Sequence, residues 1–191
     1  MQVTQPGGGA AAAHADAVAA GRAFGAMLFT VFGTVLLEVW DRRAGVGVPA
    51  FIGIALLGIA LLAMAFGIYR SHAPALKQES QTPERKRADR VFHSVNAGQW
   101  VLILVLGNVM ANTGLGDWVI PMAIFVIGLH FVPLAYVFRN TPHYITGAAL
   151  MGFALLYPRL AAGGPTDPVG FLGIGMVLWA SAAWALRSRK A

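Results

Sequence analysis

The chain has 191 residues, of which 57% are hydrophobic and 12% charged, with no cysteine and a formal net charge of +6. A charged fraction about half that of an ordinary globular domain excludes most soluble folds. The lack of cysteine excludes a disulfide framework, a zinc–thiolate centre and a thiol nucleophile.

Residues 1–18 read as a disordered cytoplasmic N-terminus, because Gly7–Ala13 is glycine followed by alanine and carries no polar face. No basic segment precedes the first apolar run and no small-residue cleavage site follows it, so the run is expected to be retained as a span. About 20 apolar residues cross a bilayer as a helix. Six stretches approach that length, at 19–40, 49–69, 94–113, 118–138, 143–160 and 168–186. The fifth is the shortest and is interrupted by Pro158. The expected fold is an all-α integral membrane protein, a bundle of six transmembrane helices over residues 19–186, with five spans and a re-entrant segment as the alternative.

Basic residues gather on the cytoplasmic side of short loops. With six spans, eleven of the fourteen Lys and Arg residues fall on one side: Arg22, six in the basic loop 70–93, Arg139, and Arg187, Arg189 and Lys190 in the tail 187–191. Only Arg42, Arg43 and Arg159 fall on the other. Both termini are therefore expected in the cytoplasm. Arginine outnumbers lysine, and alanine and glycine are abundant, a composition that points to a bacterial inner membrane.

Thr82-Pro83, Thr141-Pro142 and Asp167-Pro168 each set a capping residue before a proline at the first helical position. Asp117 is expected to cap the fourth span. The spans group as three consecutive helical hairpins, whose second helices open near Pro49, Pro121 and Pro168 and close on aromatic residues and an arginine. Small residues recur in the second span (Gly53, Gly58, Ala63) and the sixth (Gly170, Gly173, Gly175), which suits close packing within the bundle or an oligomer interface.

A polar residue at membrane depth is costly and so is a candidate for function. Thr30, Thr34 and Glu38 recur every four residues and share one face of the first span. Asn108 and Asn112 share a face of the third and are placed to meet Glu38 if those spans are neighbours. His130 stands mid-way along the fourth span, before Pro133, with Gln99 as its expected partner. Glu38, Thr34, Asn108, Asn112, Gln99 and His130 form the expected substrate or ion path. His93, Asn96, His143 and Tyr144 form an expected cytoplasmic rim. Arg85, Lys86, Arg87 and Arg90 are placed to meet lipid headgroups.

No HExxH, nucleophile elbow, phosphate-binding loop or clustered acidic pair is present, so no catalytic residue, metal site or cofactor is assigned. The basic excess follows topology and calls for no nucleic-acid partner; the partners expected are membrane lipids and further copies of the chain. The leading functional expectation is translocation of a small solute, an ion or a proton. The alternatives are a non-transporting accessory or stress-related membrane protein, with the polar residues holding the bundle, and an integral-membrane enzyme acting on a lipid or isoprenoid around His93 and His143.

Overall fold

The computed structural model describes residues 8–79 and 82–187. Among them there is no strand. Six α-helices follow one another: α1 (Gly8–Ala44), α2 (Val48–Glu79), α3 (Pro83–Asn112), α4 (Val119–Val137), α5 (Thr141–Leu160) and α6 (Val169–Arg187). Short 3-10 turns precede α4 and α6, at Gly116–Trp118 and Gly164–Thr166.

Five helices are long and apolar enough to cross a membrane: α1, α2, α3, α4 with its leading turn, and α6. They point to a membrane location. The exception is α5, an unbroken helix of 20 residues. Its length is sufficient, but polar Thr141 and His143 at one end and Arg159 at the other shorten its apolar run. Pro158 lies in its last turn, where the helix ends anyway.

The helices outrun the apolar stretches. The disordered N-terminus expected over 1–18 is corrected from Gly8 onward, where α1 has already begun; residues 1–7 lie outside the described part. Alanine loses no side-chain entropy in a helix, so this run propagates α1 without a polar face. It lies beside the end of α2, which continues past residue 69 to Glu79. Asp16 Oδ1 and His72 Nε2 stand 3.5 Å apart across the two helices. The basic segment 70–93 is thus mostly helix, the end of α2 and the start of α3. Thr82 caps α3, its hydroxyl accepting from the Arg85 N–H at 3.3 Å. Asp167 starts α6, accepting from the Val169 and Gly163 N–H groups at 2.9 Å each. Asp117 does not cap α4, which begins two residues later, after the 3-10 turn that contains it.

Packing places the helices in the order α2, α1, α6, α5, α4, α3, so the first and last helices of the chain are neighbours within the row. Glycines set the closest crossings. Gly33 of α1 faces Gly175 of α6, and Gly128 of α4 faces Gly147 of α5. Gly58 of α2 lies under the Thr34 side chain, whereas nothing approaches Gly53. One apolar core joins Ile124 and Phe131 to Leu150, Ala154, Tyr157 and Ile174. A second joins Ala26, Ala65, Ala182 and Leu186 of α1, α2 and α6. α3 rests on α4 and the adjoining turn and is the least buried of the five apolar helices.

Candidate functional site

The polar residues of α1 recur on the face turned to α2 and α6. From Arg22 to Asp41 they extend over about 28 Å at 1.5 Å per residue, close to the ~30 Å thickness of a bilayer core. Thr30 is 1% exposed and donates to the Ala26 carbonyl at 2.8 Å. Thr34 donates to the Thr30 carbonyl at 2.7 Å and accepts from the Trp179 indole N–H of α6 at 3.2 Å. A threonine hydroxyl has one proton and two lone pairs, so both bonds are made at once.

One turn further on, both carboxylate oxygens of Glu38 are shielded from solvent and have no hydrogen-bond partner. Pairing with a nearby arginine is the ordinary fate of a carboxylate at a helix end. Here neither neighbouring arginine hydrogen-bonds it: Arg42 lies over the Phe51 ring at 5.7 Å and Arg43 over Phe171 at 5.2 Å. Asp41 is buried and accepts from the Gly47 N–H at 3.1 Å, which ties down the α1–α2 turn.

At the Arg22 end, α1, α5 and α6 enclose a cavity of about 20 Å³ lined by Arg22, Asn140, His143, Thr146 and Ser181 among others. Thr146 and Ser181 hydrogen-bond across α5 and α6 at 2.8 Å. The Val177 carbonyl lies 2.8 Å from the Ser181 hydroxyl and the Pro142 carbonyl 3.1 Å from that of Thr146, so the two hydroxyl protons serve two of these three contacts at a time. The Asn140 amide and His143 Nε2 are 3.1 Å apart; the amide nitrogen donates there, which leaves the ring proton on Nδ1. The His143 ring packs against Phe29 at 6.0 Å and Phe131 at 5.7 Å. The His130 ring lies 4.2 Å from that of Phe131. His130 Nδ1 donates to the Ile127 carbonyl, which leaves its Nε2 as an acceptor. Two imidazoles on neighbouring helices thus both contact the Phe131 ring.

The remaining sequence candidates lie apart from this seam. Gln99 is half-buried with its Oε1 shielded and without a partner, so it does not bond His130. Asn108 and Asn112 sit on the exposed face of α3, donating to the Leu104 and Asn108 carbonyls at 2.8 and 2.7 Å, and do not meet Glu38. His93 is exposed beside Phe92, Asn96 is half-buried on the same helix, and Tyr144 is exposed on α5. No hydrogen bond or ring contact joins His93 to His143 among the described residues. Arg85 pairs with Asp89 at 3.2 Å and lies over Phe138 at 5.6 Å, while Lys86, Arg87 and Arg90 are exposed.

Sequence reasoning passed over Trp179, Ser181, Thr146 and Asn140. Ser181 is the one hydroxyl in an alanine run, and Asn140, not the expected Thr141, is the residue that precedes the first turn of α5, without a side-chain cap bond. Their involvement depends on which helices become neighbours. Comparisons with protein-family models, curated proteins and solved structures give no match to this chain.

Proposed function

We propose that the chain crosses the bacterial inner membrane six times, as three consecutive hairpins with both termini in the cytoplasm, and translocates a small solute or ion along the α1–α6 seam. A proton suits that seam best. The observation that carries the reading is Glu38, a carboxyl group shielded from solvent and without a partner, at the end of a polar stripe that traverses α1. A carboxyl group in such a place is an expensive feature that a purely structural helix would lack. At the opposite end the cavity of about 20 Å³ has room for about one water molecule, which suits a relay of hydroxyls, imidazoles and water better than a path for a larger solute. The basic residues at the Arg22 end support the orientation. Lys86, Arg87 and Arg90 there are exposed to meet anionic headgroups.

In this reading Glu38 takes up the proton at one mouth, Thr34 and Thr30 line the seam, and His130 and His143 exchange it at the other. The test is purified protein in liposomes holding a pH-sensitive dye. The native chain is expected to collapse an imposed pH gradient, with Glu38→Gln and His143→Phe greatly slowed. Equal rates in both variants and the native chain would remove the assignment.

A second reading has its own support. The Thr34–Trp179 and Thr146–Ser181 bonds join α1, α5 and α6 and so hold the bundle together, as in an accessory or stress-related membrane protein. It predicts no proton flux from the native chain and lower thermal stability in the same variants.

A further inference from the structure

We propose that α3 is the dimerisation surface of this protein: the exposed stripe Ser94, Ala97, Val101, Leu104, Asn108 and Ala111 packs against the same stripe of a second copy, with Asn108 paired to its own counterpart. The six positions are all exposed, and their spacing alternates between three and four residues. Positions so spaced lie along one face of a helix and can form the seam of a helix pair. The helix is free to do so, because it rests on α4 and the adjoining turn along its other side.

Asn108 decides between lipid and a second copy as the cover of this face. It lies among Leu104, Val105 and Val109, all more than half exposed, within the apolar part of α3. Its bond to the Leu104 carbonyl occupies one amide N–H. The second N–H and the Oδ1 lone pairs bond nothing among the described residues. Acyl chains offer neither donor nor acceptor. A second copy related by a two-fold axis along the membrane normal presents the same amide at the same depth. An amide is donor and acceptor together, and so complements itself. Ala111, the next stripe position, is small, as is Ala97 further along, and there the backbones can come close. Beyond Ser94 the spacing continues into Arg90 and Arg87, whose like charges part the two helices at the headgroup level. The proposal rests on the membrane-spanning reading of α3 and is independent of transport.

The chain has no cysteine, so single cysteines can be placed along positions 97–111 without background. Oxidative cross-linking in native membranes is expected to give dimer at Ala97, Val101, Leu104 and Ala111, where the Asn108 amide is retained, and little at Leu102 and Val109, which are exposed but off the stripe. Uniform cross-linking at every exposed position, or none, overturns the interface. In the Leu104→Cys background, Asn108→Leu is expected to lower the cross-linked fraction about three- to tenfold. An unchanged fraction overturns the Asn108 pairing. Misfolding does not confuse this reading, because the Asn108 side chain bonds only its own helix and helix content is measured alongside. A water-soluble maleimide separates the two premises. Cysteines at 101–108 that label freely from water remove the membrane-spanning reading, whereas protected cysteines that form no dimer remove the dimer alone.

Discussion

Gly128 and Gly147 bring α4 and α5 together backbone to backbone: a Cβ at Gly128 would stand 2.8 Å from the Gly147 carbonyl oxygen, and one at Gly147 2.7 Å from the carbonyl oxygen of Gly128. Backbone atoms cannot rotate away as a side chain does. Gly147→Ala is therefore expected to destabilise the protein by about 1–3 kcal/mol, the usual cost of overpacking. Gly152→Ala on the same helix has nothing within 4 Å and should be neutral or slightly stabilising, since alanine is the better helix former. Thermal unfolding of both variants in one detergent checks the difference, and equal midpoints would contradict the crossing.

Thr34 and Trp179 provide a second measurable link. Thr34→Val keeps the shape but leaves the Trp179 N–H without its acceptor. Removing one partner of such a bond inside a bundle is expected to cost on the order of 1 kcal/mol. Thr34→Ser retains the hydroxyl and should recover most of the loss. A Trp179→Phe background should make the two Thr34 variants alike, so a double-mutant cycle in thermal unfolding tests the pairing.

Asp167 sets an acid limit on the turn before α6. The Val169 N–H, and then the Gly163 N–H, hold its carboxyl below the ordinary carboxylate range, against a small opposing effect of burial. A group depressed in the folded state contributes stability that is fully present above its unfolded value, about 3.9 for Asp, and that is lost as pH falls through the folded value. The turn should therefore hold unchanged down to about pH 4 and loosen below it. Asp167→Asn keeps an acceptor for capping but cannot titrate. Its thermal midpoint should fall less steeply than that of the native chain over the same acid range.

Much of the bundle was legible in the sequence. Apolar runs located all six helices, five of them long and apolar enough to cross a membrane, and the four-residue spacing of Thr30, Thr34 and Glu38 announced a polar face on α1. The helix ends were less legible, because hydropathy reports where a chain becomes apolar and not where a helix stops. Alanine before residue 19 and the charged residues after 69 prolong α1 and α2 without changing that signal. The partners of the polar face were hidden for a different reason. The Glu38–Asn108 encounter assumed that α1 and α3 are neighbours. Instead α6 takes the place beside α1, and α3 ends the row on α4. Ser181 and Trp179 became visible only with that order, since nothing local to their sequence distinguishes them from other residues of an apolar helix.

The position of α1 beside α6 bears on how the protein is made. The Trp179–Thr34 bond spans 145 positions of the chain, so this seam cannot close until the last helix has left the ribosome. During synthesis of the intervening helices, Thr34 awaits its α6 neighbour. A nascent product halted before Val169 therefore lacks the Trp179 N–H that Thr34 accepts from in the finished chain.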